Sequence, residues 1–418
     1  MKEYILEKFN IYSVIIVFAS LVPVFLITGP FLGDFTFSII SIIFLIYIIY
    51  NKNFFFLKNK IFLIFLTWCI YLIFLSLFSE NLYLSLQASL FYFRFGFGAL
   101  AIAFFFNKVE LSLRIFNIFL ICTFAVLLFD SFFQFFNNYN LLGFEKGERL
   151  SSFFGEEKKL GSFIIRTLPI LIFLNIEKIF EKNIFRYFLF LIIILSFFVI
   201  FFTLERNALF LSILFLITFF IFLIKYDRKF IFLFIAIIML FGAFLSNEKY
   251  NYRILNTLNN INILDSNNQV VLISHQYQAH FVSSFRMFID KPIIGHGPKM
   301  FRILCKDDKY VSYFSYPKID SCSTHPHHLY LQLLSETGII GALPVAILFL
   351  FSLFKVLKII FFKNTQYSIK ENKIYFLYIL ILLNLFPLST SGNFFNNWIS
   401  IIYFLPIIFI IFERIRKT

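Results

Sequence analysis

Charged residues are scarce in this sequence. They make up 14% of the 418 residues, while 60% are hydrophobic, whereas soluble domains contain roughly 25% charged residues. A soluble fold has too little interior to hide so much apolar surface. The composition therefore excludes a soluble globular protein and predicts that lipid surrounds much of the chain. Phenylalanine accounts for 69 residues, which we interpret as lipid-facing filling and not as a binding code.

Long polar stretches are also rare. A helix that crosses a membrane needs about 20 mostly apolar residues. The twelve predicted spans are Ile11–Thr28, Phe31–Tyr50, Ile61–Phe78, Leu86–Phe106, Leu113–Phe136, Leu160–Ile176, Tyr187–Leu204, Asn207–Leu223, Phe230–Leu245, Thr337–Phe354, Ile374–Leu388 and Trp398–Phe412. We therefore expect an all-α polytopic membrane protein with about twelve transmembrane helices. Spans one to nine occupy residues 1–245, a periplasmic helical lid occupies 246–335, and the last three spans occupy 336–418.

Acidic residues are too few to balance the basic ones, and the net charge is +14. If the N-terminus is cytoplasmic and the spans alternate, the cytoplasmic segments hold 21 of the 37 basic residues and eight acidic ones, so nearly all of the excess charge faces one side. This distribution predicts a multi-pass protein of the inner membrane with both termini in the cytoplasm. Its surroundings are the lipid bilayer, and the dispersed charge predicts no nucleic-acid partner. No cleavage site follows the first apolar segment, so we expect a retained span.

Histidine is absent from every predicted span and every predicted cytoplasmic segment. All six histidines fall between His275 and His328, and the densest group includes His325 and His327. A neutral imidazole can take a proton from a hydroxyl near pH 7, which favours a general base. Clustered histidines can also hold zinc, but His325 and His327 flank a proline and suit a tight site poorly, so we expect no metal.

The predicted lid contains a helix at 276–289. Aromatic residues repeat with helical spacing from Tyr277 to Phe288, which predicts one apolar face. The following segment, Gly295–Lys299, contains two glycines and a lysine. It could cradle a phosphate or form a plain structural turn.

Basic residues collect at the predicted outer ends of the spans. Arg206 lies in a short turn between spans seven and eight, where its guanidinium suits phosphate oxygens. Arg94 lies within span four, and because an ionisable residue at membrane depth is costly, we expect it to pair with Asp130. Lys158 and Lys159 are expected to extend toward lipid head groups.

The chain has four cysteines. Cys69 and Cys122 lie in apolar spans, whereas Cys305 and Cys322 share the lid. In an oxidising compartment we expect Cys305 and Cys322 to form a disulfide. Closing a loop of this length contributes about 3 kcal/mol. Two free thiols in a reduced or buried setting are the alternative.

The residues from His325 to Gly341 resemble the signature of the O-antigen ligase and polymerase family. The segment reads His-Pro-His-His-Leu-Tyr-Leu-Gln and continues to Glu-Thr-Gly-Ile-Ile-Gly. Residues 288–298, 203–208 and 149–160 are similar to three further segments of the same family.

The resemblance implies a GT-C-like, lipid-linked glycosyltransferase that uses no metal or other cofactor. Its donor would be a glycan on undecaprenyl diphosphate. Its acceptor would be a sugar hydroxyl, on lipid A–core for a ligase or on a growing glycan for a polymerase. Matched motif positions make His327 the expected catalytic base and Arg206 the expected contact of the diphosphate. Further substrate-binding candidates are Arg149, His280, Arg286, Lys299, Arg302, His325 and His328.

The chain departs from the family pattern in two places. His328 stands where the signature has asparagine. Residues 275–277 lack the arginine that many members carry, which leaves the second diphosphate contact open among Arg286, Lys299 and Arg302. A protein O-oligosaccharyltransferase is also possible. Rival functions of other classes are a polysaccharide transporter or flippase, a metal-dependent hydrolase and a non-catalytic scaffold.

Overall fold

The computed structural model describes residues 11–52, 54, 57, 60–231, 275–311, 321–362 and 369–416. Within these ranges the chain is helical and contains no β-strand. The helices are α1 Ile11–Ser20, α2 Val22–Thr28, α3 Pro30–Tyr50, α4 Lys60–Ser76, α5 Leu82–Ser89, α6 Phe93–Lys108, α7 Ser112–Asn137, α8 Leu160–Phe180, α9 Ile184–Thr203, α10 Arg206–Tyr226, α11 His275–Asp290, α12 Phe301–Leu304, α13 Leu329–Leu357, α14 Ile369–Asn372, α15 Tyr375–Asn384 and α16 Asn397–Ile415.

Seven helical stretches of the described chain are long and apolar enough to cross a membrane. They are Pro30–Tyr50, Leu82–Lys108, Ser112–Asn137, Ile184–Thr203, Arg206–Tyr226, Leu329–Phe361 and Asn397–Ile415. The prediction of a polytopic helical membrane protein is confirmed, but the count of twelve is not reached by this measure. The first predicted span is divided between α1 and α2, and the eleventh is shortened to α15. Most of the ninth, Phe230–Leu245, lies outside the described residues, as does the lid from 246 to 274.

Helix α8 lies at the centre of the bundle. It packs against α7, α9, α10 and α15, and nearly all of its residues are buried. Its Asn175 exchanges two hydrogen bonds with Asn117 of α7, at 2.8 and 2.7 Å. Paired amides satisfy each other where neither water nor a charged group is at hand. The pair therefore fixes the register of α7 against α8.

The described part of the lid is held in a break of α13. Gly338 has φ of 64° inside that helix, and the strap at 292–297 lies against it, with Ile339 N donating to Pro292 O and Gly297 N to Glu336 O. A Cβ on Gly338 would lie 2.1 Å from Ile293 O. Glycine is required for this close approach as well as for the positive φ. The two glycines of this segment therefore have a structural use, because the backbone N–H of Gly297 is taken by Glu336 O and cannot cradle a phosphate.

Helix α11, which the sequence predicted, packs against α13 through small and polar residues. Ala279, Ser283 and Met287 are buried, and Ser284 Oγ donates to Leu331 O at 2.9 Å. On the predicted aromatic face, Tyr277 and Phe281 lie against His327 and His328, with ring centroids 5.2 and 5.3 Å apart, whereas Phe285 is 49% exposed. Small residues on the packed face allow the two helix backbones to approach closely.

Candidate active site

The histidine loop immediately precedes α13, and backbone contacts fix its position. His327 has φ of 57°, an uncommon conformation for a non-glycine residue that the surrounding structure must stabilise. Its carbonyl accepts from Ser391 N at 3.0 Å. The Nε2 of His325 lies 3.3 Å from Ser391 O. Two contacts to one residue anchor this loop to the segment between α15 and α16.

His328 has a structural use. It is the N-cap residue of α13, and its Nδ1 accepts from Leu331 N at 3.2 Å. Asparagine is among the best N-cap residues, so histidine here serves a purpose that the asparagine of the family signature could serve equally well. The departure at this position therefore keeps a side-chain N-cap for α13.

His327 lies in a cluster of aromatic rings. Its ring centroid is 4.1 Å from that of His325, 5.2 Å from Tyr277 and 5.5 Å from His280. Burial lowers the pKa of His327 to about 4, with a smaller contribution from His280. Burial, followed by the electrostatic interaction with the neighbouring His327, lowers the pKa of His325 to about 3. Both imidazoles are neutral at pH 7 and can accept a proton.

The turn that carries Arg206 is fixed by its neighbours. Glu205 accepts from Gly161 N at 2.7 Å, from Ser162 N at 3.1 Å and from Ser162 Oγ at 2.8 Å. A carboxylate at a helix N-terminus accepts hydrogen bonds from the free N–H groups and interacts favourably with the helix dipole. Leu204, with φ of 52°, completes the reversal. The Arg206 side chain is exposed, and no ion pair to a described carboxylate involves it.

The Arg206 turn and the histidine loop contact adjacent residues of one loop, Thr390 and Ser391. Asn207 Nδ2 donates to Thr390 O at 2.8 Å, and Ser391 N donates to the His327 carbonyl at 3.0 Å. The structure thus brings the two predicted catalytic segments to adjacent positions of one short loop. Our sequence analysis missed Asn207, Thr390 and Ser391. The polar run after Leu388, set between two apolar spans, was the signal that could have revealed that loop.

Behind the loop, a buried network ties α13 to its surroundings. Gln332 Nε2 donates to Glu336 Oε2 at 3.0 Å and to Asn393 Oδ1 at 3.1 Å. Glu336 Oε1 accepts from Phe301 N at 3.1 Å. Gln332 and Glu336 of the family signature therefore brace the lid and the α15–α16 loop.

The remaining basic candidates lie in different surroundings. Arg286 is exposed and donates to the carbonyl of Val311. Arg149 is half-buried in the loop before α8, and no described contact joins it to the histidines. Lys299, just before α12, and Arg302, within α12, are both half-buried.

The expected pairing of Arg94 with Asp130 is wrong. Arg94 forms a two-pronged ion pair with Asp34, at 2.6 and 3.1 Å. Asp130 instead accepts from Ser152 Oγ at 2.5 Å and from Leu141 N at 2.8 Å. Hydrogen bonds from the loop that follows α7 satisfy the carboxylate of Asp130, so it needs no cation.

Cys305 and Cys322 form a disulfide with Cα atoms 5.1 Å apart, the pairing that the sequence predicted. It joins the end of α12 to the start of the histidine loop. Among the described residues, no group of three or more histidine, cysteine or carboxylate side chains is arranged to hold a metal ion.

A model of the O-antigen ligase family matches residues 191–346. The predicted family resemblance is confirmed. The matched segment contains both the Arg206 turn and the histidine loop. No curated protein matches the chain.

Proposed function

We propose that this protein is an inner-membrane O-antigen ligase of lipopolysaccharide biosynthesis, which moves a glycan from undecaprenyl diphosphate to a sugar hydroxyl of lipid A–core. The observation that carries the proposal is the convergence of the Arg206 turn and the His327 loop on Thr390 and Ser391. The family match covers both segments. A base and a cation held at one loop are the two groups that such a transfer needs.

The chemistry follows from the two groups. His327 takes the proton of the acceptor hydroxyl, and the oxygen attacks the anomeric carbon of the donor glycan. The bond between that carbon and the diphosphate oxygen breaks, and the diphosphate departs with the negative charge. Arg206 stabilises that charge through its guanidinium N–H groups. The other residues of the turn fix its backbone and leave the Arg206 side chain to bind the leaving group.

The same proposal places the lid in the periplasm and both termini in the cytoplasm. A disulfide is typical of an oxidising compartment, and Cys305–Cys322 lies in the lid. The basic residues are concentrated in the segments assigned to the cytoplasm, as the positive-inside rule requires. Proton acceptance by an imidazole and charge neutralisation by an arginine need no metal or cofactor.

Deleting the gene and re-expressing variants tests the function. We expect His327→Ala and Arg206→Ala to restore no polymer on lipid A–core at normal expression, because a general base contributes about 10²–10⁴-fold to the rate. Surface polysaccharide gels are the readout. Full transfer by both variants would contradict the mechanism.

The same gels separate the ligase from its alternatives. Core without any polymer after deletion indicates a ligase, and core bearing a single repeat unit indicates a polymerase. Loss of glycan from proteins with normal lipopolysaccharide indicates a protein O-oligosaccharyltransferase. Repeat units that accumulate on the cytoplasmic face would indicate a flippase.

A further inference from the structure

Lys299 and Arg302 are two neighbouring cations of the lid, and neither forms a direct ion pair with a carboxylate in the described ranges. Burial, followed by the charge of Arg302, lowers the pKa of Lys299, and Glu336 opposes this shift. Arg302 Nε is buried and has no hydrogen-bond partner among the described residues. Neighbouring like charges with unused donors are costly in a half-buried site. An anion between them would remove that cost and take up the donors.

The backbone holds these cations where they are. Lys299 has φ of 61°, a conformation that costs energy for a residue with a side chain. Phe301 N, between the two cations in sequence, donates to Glu336 at 3.1 Å. Glu336 is the carboxylate that acts on both cations, and it also accepts hydrogen bonds from Phe301 N and from the Gln332 amide.

Arg302 of this pair lies near the imidazole cluster. The ring of Phe301 is 6.5 Å from that of His280, which is 5.5 Å from His327. The disulfide joins Cys305, three residues after Arg302, to the chain that leads into the histidines. Arg302 also acts on His325. Its positive charge lowers the pKa of that imidazole, in addition to the larger effects of burial and of His327.

The geometry of direct displacement at an anomeric carbon indicates what a cation near His327 would contact. The entering oxygen and the departing diphosphate align on opposite faces of the carbon. His327 must touch the entering hydroxyl, so cations on the side of His327 face the acceptor. Arg206, on a separate turn, faces the leaving group.

We propose that Lys299 and Arg302 form an anion-binding subsite that holds a phosphate group of the acceptor while His327 deprotonates its hydroxyl. This inference rests on the proposed transferase function. It makes the protein selective for an acidic acceptor and assigns the two cations a role other than a second contact to the donor diphosphate.

Steady-state kinetics of the purified full-length protein tests the subsite. The acceptor is lipid A–core, either as isolated or with its phosphates removed, and the donor is a glycan on undecaprenyl diphosphate. We expect Arg302→Gln and Lys299→Gln each to raise the KM for the phosphorylated acceptor roughly tenfold, the value of one lost charged hydrogen bond. The KM for the donor stays unchanged, and the dephosphorylated acceptor is used equally by wild type and variants. The matched control is Lys306→Gln, an exposed lid lysine.

A binding measurement keeps the subsite testable apart from catalysis. Inorganic phosphate should raise the melting temperature of the wild type and of Arg206→Gln, but not of Arg302→Gln. If the wild type transfers no glycan, the proposed function fails, and this melting shift still decides for or against the subsite. A raised KM for the donor with an unchanged KM for the acceptor would overturn the inference, as would a phosphate shift that survives in Arg302→Gln.

Discussion

Arg94 and Arg206 are both arginines that the sequence singled out, one within a predicted span and the other in a turn between two spans, yet their surroundings differ. The guanidinium of Arg94 has protein partners: it forms an ion pair with Asp34, donates to Asn397 Oδ1 at 3.1 Å and lies 4.4 Å over the Phe95 ring. At Arg206 the residues on either side make the contacts that fix the turn. Glu205 caps the N-terminus of α8, and Asn207 donates to the carbonyl of Thr390. A cation whose own donors are satisfied stabilises the fold. A cation whose turn is fixed while its side chain stays exposed can bind a ligand.

The largest expected effect separates these two arginines. Arg206→Gln should lower glycan transfer by about 10²–10³-fold, the usual loss when one donor to a developing negative charge is removed. Its melting temperature should stay unchanged, since the turn keeps the contacts of Glu205 and Asn207. Initial rates and thermal melting of the purified protein measure both. Lost stability together with lost activity would put Arg206 in the same class as Arg94.

The pH dependence of activity tests the role of His327 as the base. Protonation removes the base, so activity falls as pH falls through the pKa of His327. Burial lowers that pKa from 6.5 to about 4, so the acid limb should lie well below pH 6. The pH profile of kcat/KM reports the free enzyme and measures this midpoint. A midpoint near 6.5 would show that the imidazole is solvated and the cluster open.

For the Arg94 ion pair we expect the reverse of the result at Arg206, a loss of stability without a loss of activity. Asp34→Asn should lower the stability by about 1–3 kcal/mol, because a charged hydrogen bond is lost where both side chains are mostly buried. The rate per folded molecule should stay near that of the wild type. Thermal melting in detergent, with transfer rates normalised to folded protein, measures the two effects. A large loss of transfer with unchanged melting would place Arg94 in the site.

The smallest expected effect concerns His328. His328→Ala should cost about 1 kcal/mol through loss of the N-cap of α13, and His328→Asn should restore most of it. Both should keep transfer within a few-fold of the wild type. Comparing the melting temperatures of the two variants tests the capping role. Inactive His328→Asn protein of normal stability would instead make this ring part of the chemistry.

The sequence predicted the helical class and the α11 helix because apolar periodicity reports local structure directly. It predicted Arg206 and His327 as site candidates because their residue types suit the chemistry. It could not predict that Asn207 and Ser391, 184 positions apart in the numbering, bring these segments to one loop. The prediction of Asp130 as the partner of Arg94 failed for the same reason. Asp34 and Asp130 look alike in sequence, and only the packing of α3 against α6 decides between them.

A structure of the full-length protein with a donor glycan on undecaprenyl diphosphate tests the central claim most directly. The account predicts the diphosphate within hydrogen-bond distance of the Arg206 guanidinium, with the anomeric carbon facing His327 across the space for an acceptor oxygen. A diphosphate bound away from the Arg206 turn, or a sugar beyond the reach of His327, would contradict it.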